Sequence, residues 1–370
     1  MSDVEIGRSK RARVAYSFDD VSLVPSRRTR DDELVSLNWK IDAYSFDHPI
    51  IAAPMDSVVS PTSAATFAAN GGLAILNLEG VWTRYEDPTE VLNEIAALDP
   101  KAATAKLQKI YSQPIKPELI AARIQEMRKA GITVAGALSP QRTAQFAKQV
   151  VDAGVDIFVI RGTTVSAEHV GNGGEALNLK EFIYQLDVPV IVGGCATYGA
   201  ALHLMRTGAA GVLVGFGGGA AHTTLDVLGI RVPMASALAD VAAARRDYLD
   251  ESGGRYVSVI ADGSMGRSGD VSKAIALGAD AVVVGSTFAR ATDAPGRGKH
   301  WGLEATHPLL PRGELVDLGT TGTLTEIISG PSHTADGTMN MVGALRRAMA
   351  TCGYSDLKEF QRCEVVVTPN

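Results

Sequence analysis

The chain contains little cysteine. Only three of its 370 residues are cysteines, Cys195, Cys352 and Cys363. Three scattered thiols are too few for a disulfide framework or a cysteine-rich metal site. The basic amino-terminal segment lacks the apolar core of a secretory signal peptide. Reduced thiols and the missing signal together predict a cytoplasmic protein.

The chain also lacks a positive net charge and a long apolar run. Its formal net charge is −6 at pH 7, which argues against a nucleic-acid partner. No apolar run approaches the roughly 20 residues that span a bilayer, so no membrane association is expected. Apolar residues make up 46% and charged residues 21%, a composition typical of globular proteins.

Short apolar runs recur along the chain, and segments with helical spacing separate them. The runs are rich in Val, Ile, Leu and Ala without alternation, which is typical of strands buried on both faces. Eight such runs occupy residues 49–54, 71–77, 133–139, 156–162, 189–195, 211–217, 258–264 and 280–286. This pattern favours an α/β fold of the (β/α)8 TIM-barrel type over an open doubly wound sheet, which also alternates strand and helix.

The segments between the runs predict the remaining architecture. Helices are predicted at 117–131, 140–154, 200–208 and 269–278, each ending near a glycine. The longest interval follows the second run and contains further helical patterns, so residues 78–132 are predicted to be a helical insertion. Residues 294–338 are rich in glycine and proline and predict a flap-like segment, which precedes a last helix at 339–353. We expect one domain over residues 1–370.

Two glycine corners end the last two predicted strands. Gly263 and Ser264 follow the seventh, and Gly285 and Ser286 follow the eighth. Barrels often bind phosphate with the backbone N–H groups of these two loops, although small residues also simply terminate packed strands. Asp262, at the mouth of the seventh strand, is suited to accept hydrogen bonds from a ribose diol. The same residue equally suits a helix cap or a turn.

A glycine-rich loop with a histidine follows the sixth strand. Residues 215–224 read GFGGGAAHTT, and the glycines permit unusual backbone angles. His222 suits a general base or a nucleotide contact, while an ordinary polar loop residue is the simpler interpretation. Cys195 ends the fifth strand, where a small thiol usually serves packing.

Several longer motifs, in order along the chain, resemble the IMP dehydrogenase and GMP reductase family. SFDDVSLVPSRR at 17–28 is similar to the family's opening TFDDVLLVP, and APMD at 53–56 takes the position of its Ser-Pro-Met-Asp. Residues 260–286, IADGSMGRSGDVSKAIALGADAVVVGS, resemble the family's purine-nucleotide segment. DAPGRG at 293–298 is similar to its EAPG motif.

The resemblance implies a function and a set of site residues. It implies a (β/α)8 barrel, usually a homotetramer, that binds IMP or GMP and oxidises IMP to XMP with NAD in guanine nucleotide biosynthesis. The insertion is too short for the regulatory (CBS) domain of many members. Implied substrate contacts are Ala53, Met55, Asp262, Gly263, Ser264, Gly285 and Ser286. Implied catalytic residues are His222 and Thr224. Implied cofactor contacts are Arg161, Gly162, Gly215 and Gly217. An implied monovalent-cation site, suited to K+, comprises Gly217, Gly219 and His222.

The chain departs from the family pattern at the implied reaction centre. His222 stands where the family has its catalytic cysteine, Ala220 where it has a phosphate-binding serine, and Arg161 where it has an aspartate. No tyrosine lies between residues 257 and 353, so the family's Arg-Tyr pair is not recognisable. Because thiolate is the stronger nucleophile and the better leaving group, we expect weak or absent dehydrogenase activity.

Two other hypotheses remain open from the sequence. One is a catalytically silent homologue that binds a purine nucleotide or a partner in a regulatory role. The other is an FMN-dependent barrel, because such barrels use the same phosphate corners.

Overall fold

The barrel is closed by eight parallel strands. The computed structural model describes residues 3–169, 177–216 and 218–368. The strands are β1 Ile50–Ala52, β2 Leu73–Asn77, β3 Ala135–Leu138, β4 Ile157–Arg161, β5 Val190–Cys195, β6 Gly211–Val214, β7 Ser258–Asp262 and β8 Ala281–Val284. They pair in chain order, and β8 pairs with β1 to complete the ring. The predicted (β/α)8 TIM barrel is therefore confirmed.

The closing pair illustrates why these runs form barrel strands. Val282 lies opposite Ile50 and Val284 lies opposite Ala52 in parallel register. All four side chains are fully buried. Each strand packs inward against the barrel core and outward against helices, which is why the sequence shows continuous apolar runs.

Helices surround the barrel. They are α1 Pro61–Ala69, α2 Thr89–Ala96, α3 Ala103–Tyr111, α4 Pro117–Lys129, α5 Pro140–Asp152, α6 Leu179–Tyr184, α7 Tyr198–Met205, α8 Thr224–Leu228, α9 Met234–Glu251, α10 Ser268–Ala276, α11 Ser286–Ala289, α12 Leu324–Ser329, α13 Met341–Cys352 and α14 Leu357–Phe360. None of the described helices has the length and apolar character needed to cross a membrane.

In the described parts of the chain, four small antiparallel pairs lie outside the barrel. They are Asp3–Gly7 with Lys10–Arg13, Val21–Leu23 with Val365–Val367, Trp39–Ile41 with Tyr44–Phe46, and Lys299–His300 with Val316–Asp317. Single 3-10 turns occur at Phe18–Asp20, Asp32–Leu34, Val81–Thr83, Pro100–Ala102 and Leu303–Thr306.

The interval between β2 and β3 contains both an insertion and an ordinary barrel helix. Helix α4 packs against α1 and α5, the helices that follow β1 and β3. It is therefore the barrel's own helix after β2. The additional helices are α2 and α3, so the inserted part is shorter than the range 78–132 drawn from the sequence.

The insertion and the segment after β8 share a second, smaller core. Its buried members are Val81, Ile95, Ala103, Leu107, Ile110, Tyr111, Trp301, Ala305 and Leu315. Because neither segment could bury these side chains alone, each holds the other in place. This second core positions residues 301–315 beside the loops at the carboxyl ends of the strands.

Candidate functional site

A cavity lies at the carboxyl ends of the strands. It is narrow, with a volume of about 50 Å³. The predicted site residues that line it are Ala53, Met55, Arg161, Gly162, Gly215, Gly219, His222, Thr224, Asp262, Gly263, Ser264, Gly285 and Ser286. Gly217 lies outside the described residues. The fold thus brings together positions that are up to 233 residues apart, from Ala53 to Ser286.

The two glycine corners form one end of this cavity. Gly263 and Ser264 adopt φ angles of 113° and 61°, a left-handed conformation that is strained for serine. The Ser264 N–H and hydroxyl both donate to Gly218 O, at 3.1 and 3.2 Å. The backbone N–H groups of Gly285 and Ser286 donate to no described backbone oxygen. Those two N–H groups are therefore available to an anion.

Asp262 and Arg161 form an ion pair in the cavity wall. Arg161 Nε donates to Asp262 Oδ2 at 2.8 Å, and the side chains are 17% and 13% exposed. Burial alone would lower the pKa of Arg161, but the carboxylates of Asp262 and Glu304 raise it above its usual value. Arg161 therefore stays charged, and one oxygen of the predicted ribose acceptor is engaged by the protein itself.

His222 faces a second buried carboxylate. Its Nδ1 lies 3.8 Å from Glu304 Oε2, with both side chains nearly buried. That oxygen accepts no hydrogen bond from a described residue. Burial tends to raise the pKa of Glu304, yet its electrostatic interactions with His222 and Arg161 hold that pKa below its usual value. The site thus contains an ionised carboxylate with an unused acceptor atom.

His300 contributes a neutral imidazole to the same cavity. Burial, reinforced by His222, lowers the pKa of His300 to about 3. Its Nδ1 lies 2.9 Å from Ser57 Oγ. A methyl group built on Gly285 would lie 3.4 Å from the His300 ring and 3.2 Å from Met55 Sδ. A side chain at position 285 would therefore crowd both groups, and glycine avoids this at the wall of the cavity.

Backbone pairing fixes the position of Glu304 relative to His222. Arg312 N donates to Glu304 O at 2.9 Å, and Thr223 N donates to Arg312 O at 3.1 Å. His222 and Gly313 form an antiparallel bridge. A side chain at Gly313 would lie 2.6 Å from Ala221 O, so only glycine permits this approach. Residues 304–313 therefore hold the histidine loop directly.

The insertion reaches the site through a hydrogen-bonded chain. Trp301 Nε1 donates to the Tyr111 hydroxyl at 2.7 Å, and that hydroxyl donates to Asp56 Oδ2 at 2.5 Å. Val81 N donates to the same carboxylate oxygen at 2.8 Å. Burial raises the pKa of Asp56, although these donors oppose the shift. These hydrogen bonds connect the loop after β1 to the segment that carries Glu304.

Neither Cys195 nor Thr224 lies in the kind of environment that activates a nucleophile. Burial raises the pKa of Cys195 to about 12, and its Sγ donates to Leu213 O at 3.4 Å. The thiol is therefore a packing group, as the sequence favoured. Thr224 lines the cavity, and its buried hydroxyl oxygen has no partner among the described residues.

A second cavity of about 870 Å³ adjoins the first. The two share Arg161, Gly162, Thr163 and Glu304. Its lining also includes the arginines Arg84, Arg142 and Arg312. Guanidinium groups recognise phosphate well, and the volume lies within the usual range for ligand sites. The residues present therefore fit a dinucleotide.

The predicted cation site finds less support. Gly219 O accepts the His222 backbone N–H at 3.1 Å, and Gly218 O accepts both donors from Ser264. The protein therefore already engages the Gly218 and Gly219 carbonyls, which favours other uses of these two groups over a K+ site. The K+ site stays a prediction, since Gly217 lies outside the described residues.

Glu304 and His300 were missed from the sequence. Both lie in the glycine- and proline-rich range 294–338, which shows no strand or helix periodicity around them. The one available signal was the tryptophan next to them, Trp301, because a large apolar side chain in a polar loop indicates burial of its neighbours.

Comparison with known proteins agrees with this geometry. The model of the IMP dehydrogenase / GMP reductase domain matches residues 15–302. An uncharacterized oxidoreductase of Mycolicibacterium smegmatis is 50% identical, covering 98% of this chain and 99% of its own length. The inosine-5′-monophosphate dehydrogenase of Methanocaldococcus jannaschii is 26% identical, covering 97% and 94%.

A solved structure is equally similar. The crystal structure of an IMP dehydrogenase/GMP reductase-like protein from Corynebacterium glutamicum superposes with a TM-score of 0.94. The two sequences are 49% identical, and the match covers 99% of this chain and 98% of the other. The matched segment, residues 15–302, includes both glycine corners and the histidine loop. The chain therefore belongs to the IMP dehydrogenase / GMP reductase family.

Proposed function

We propose that this protein binds a purine nucleoside 5′-monophosphate at the barrel mouth and oxidises IMP weakly or not at all. One observation carries the second half of the proposal. The cavity presents an imidazole, that of His222, at the position of the family's nucleophilic cysteine, and Cys195 is a buried thiol with a raised pKa.

The arrangement of donors and acceptors supports nucleotide binding. The N–H groups of Gly285 and Ser286 suit the phosphate, because they have no described backbone acceptor and glycine leaves space beside them. Asp262 Oδ1, together with the acceptor capacity that Oδ2 keeps beside its bond to Arg161, can accept hydrogen bonds from the ribose hydroxyls. Arg161, bound to Asp262, keeps that carboxylate ionised and oriented.

The chemistry of the remaining groups supports weak turnover. In this family a cysteine sulfur adds to the purine C2, a hydride leaves C2 for NAD, and a water molecule then hydrolyses the sulfur–C2 bond to release XMP. NAD, when bound, supplies the hydride acceptor, and Arg161, Gly162 and Arg142 in the second cavity would hold it. His222 beside Glu304 can accept a proton, but imidazole is a poor covalent catalyst for this step.

The Arg161–Asp262 ion pair favours a second candidate function, that of a silent homologue. A nucleotide must share Asp262 with a buried guanidinium, and the first cavity is only about 50 Å³. Nucleotide binding without turnover would suit a regulatory role in guanine nucleotide metabolism. Both candidates place the protein in the cytoplasm.

Ser286→Glu is expected to weaken IMP and GMP binding at least about tenfold. A carboxylate at this corner repels the phosphate and fills its space. Isothermal titration calorimetry with each nucleotide measures the effect. Ser286→Ala is the matched control, since it removes the hydroxyl without adding charge and should cost only about one neutral hydrogen bond. Unchanged affinity in Ser286→Glu would remove the phosphate from this position.

We also expect a homotetramer in solution. Exposed apolar side chains cluster on and after α8, namely Leu225, Val227, Leu228 and Ile230. Surface patches of this kind usually mark protein contacts. Light scattering at micromolar concentration should give about four times the chain mass of 38.8 kDa. A monomer of the wild-type chain would contradict the expectation, and Leu228→Asp should yield smaller species.

A further inference from the structure

Arg161 occupies the acceptor that the proposed ribose hydroxyls need. From the end of β4, its Nε donates to Asp262 Oδ2 at 2.8 Å, and both side chains are largely buried. This is the only hydrogen bond that the guanidinium donates to a described residue. A ribose diol presents two O–H donors, which match the two oxygens of one carboxylate. The arginine and the ribose therefore compete for Oδ2.

The volume of the cavity argues for displacement of Arg161 rather than for sharing of Asp262. Both side chains line the first cavity, which measures about 50 Å³. Sites for small molecules and cofactors usually measure roughly 300–1,000 Å³. Side chains in this wall must therefore move before a nucleotide fits. Arg161 is suited to move, because its long side chain is flexible and a single hydrogen bond holds its head group.

Glu304 offers an acceptor for the displaced guanidinium. Its Oε2 is buried and accepts no hydrogen bond from a described residue. Buried polar atoms are rarely left unpaired in native proteins, so this atom needs an explanation. Arg161 and Glu304 line the same two cavities. Glu304 also helps to raise the pKa of Arg161, and Arg161 helps to lower that of Glu304, as expected for neighbouring opposite charges.

A transfer between the two carboxylates keeps the buried cation paired. A buried guanidinium that loses its carboxylate without a replacement is strongly destabilising. With Glu304 as the new partner, Arg161 exchanges one carboxylate for another, and Oε2 gains the donor that it lacks. Glu304 is held in place by the hydrogen bond from Arg312 N to its carbonyl oxygen at 2.9 Å. The arginine is therefore the side chain that moves.

We infer that Arg161 is an internal competitor of the nucleotide, which holds Asp262 in the narrow cavity and moves to Glu304 Oε2 when the ribose binds. The inference rests on the proposed binding of a purine nucleoside monophosphate. It is particular to this chain, because the family pattern has an aspartate at position 161, and an aspartate could not form an ion pair with Asp262.

Calorimetry with IMP compares the full-length wild type with Arg161→Met, which keeps a long side chain without charge or donors. The variant should bind IMP about tenfold more tightly, because the ribose no longer displaces a cation. This gain should depend on the diol. The ratio of the affinities for IMP and 2′,3′-dideoxy-IMP should rise from about threefold in the wild type to about 30-fold. Arg161→Gln, which can still donate to Asp262, should change both quantities in the same direction and serves if the Met variant is unstable.

Arg206→Met is the matched control for the loss of an arginine. Arg206 pairs with Glu251 at 2.7 Å, and both side chains are nearly half exposed. Neither residue lines the two cavities. The control should therefore keep the wild-type affinity for IMP and the wild-type ratio.

A double-mutant cycle tests the second position of the arginine. Glu304→Gln alone should weaken IMP binding about tenfold, because the displaced guanidinium then lacks an anionic partner. In the Arg161→Met background the same substitution should change the affinity less than about twofold, since no guanidinium has to be received. Glu314→Gln, on the same segment with an exposed side chain, should have no effect in either background.

Two results would overturn the inference. The first is an IMP affinity of Arg161→Met that equals or falls below that of the wild type, which would make Arg161 a fixed support of Asp262. The second is an equal effect of Glu304→Gln in both backgrounds, which would show that Glu304 does not receive Arg161. Binding detectable only in Arg161→Met would support the inference. Failure of the proposed function looks different, because then neither protein binds a nucleotide, Ser286→Glu changes nothing, and the inference falls with it.

Discussion

Wild-type protein supplied with IMP and NAD is expected to form NADH slowly or not at all. General acid-base help contributes about 10²–10⁴-fold, whereas enzymes usually accelerate reactions 10⁶-fold or more. His222 can supply only general acid-base catalysis, and no cysteine among the described residues lines either cavity. NADH absorbance and chromatographic detection of XMP measure the turnover. Robust NADH production that is insensitive to His222→Ala would show that another residue carries the chemistry.

His222→Cys should restore turnover only in part, because Glu304 opposes it. A thiolate at position 222 would lie close to the ionised carboxylate, which now sits 3.8 Å from the imidazole. Like charges disfavour each other, so the pKa of the new thiol should rise and the reactive fraction should fall. His222→Cys combined with Glu304→Gln is therefore expected to exceed His222→Cys alone by at least about tenfold in kcat. Adding Ala220→Ser should lower the KM for IMP.

Two controls make this comparison specific. Cys195→Ser in the same background should leave the rate unchanged, since that thiol is buried and its pKa lies at about 12. Thiol alkylation should abolish only the activity gained with His222→Cys. Equal rates in the single and double variants would contradict the proposed opposition between Glu304 and the thiolate.

The barrel could be predicted from the sequence because each strand has its own continuous apolar run. The run around Ile50, Ile51 and Ala52 is apolar on both faces, as a strand between a filled barrel and its helices must be. The glycine corners were predicted for a related reason, since Gly263 needs a φ of 113° and Gly285 needs space beside Met55. Backbone and packing requirements of this kind are local, and local requirements are visible in a single sequence.

The pairings of charged side chains were not predictable in the same way. Arg161 and Asp262 are 101 residues apart, and Glu304 is 82 positions after His222. From the sequence alone, each of these charged side chains could have been solvated at the surface. Their partners follow from which strands become neighbours and from the second core that anchors Trp301. Because those are properties of the closed barrel, the ion pairs became evident only with the fold.

Asp280 is a further residue whose role depends on distant partners. It precedes β8, and its carboxylate is 3% exposed. Arg245 on α9 donates to it at 2.7 Å, the Tyr256 hydroxyl at 2.7 Å and Val259 N at 2.8 Å. Lys358 on α14 also contacts it. The carboxylate thus joins the start of β8, the strand that leads to Gly285, to two outer helices.

Asp280→Asn is expected to lower the free energy of unfolding by about 3–5 kcal/mol, because it leaves the buried Arg245 cation without its counter-charge. Urea unfolding followed by circular dichroism measures the loss. Burial alone would raise the pKa of Asp280, but Arg245 and Lys358 lower it below its usual 3.8. In the wild type, the contribution of ionised Asp280 to the free energy of unfolding should therefore be complete above about pH 4. It should disappear as the pH falls through the lowered pKa, whereas the variant lacks this contribution at every pH.

A matched control shows whether the loss of stability is specific to this buried ion pair or follows from the loss of any ion pair. Asp317 pairs with Lys299 at 2.7 Å, but its side chain is 54% exposed, so Asp317→Asn should unfold within error of the wild type. Adding Arg245→Met to Asp280→Asn should recover part of the lost stability, because it removes the unpaired buried cation. A loss below about 1 kcal/mol in Asp280→Asn would mean that Arg245 finds another acceptor or reaches water. In that case the carboxylate would orient Tyr256 and Lys358 without stabilising the barrel.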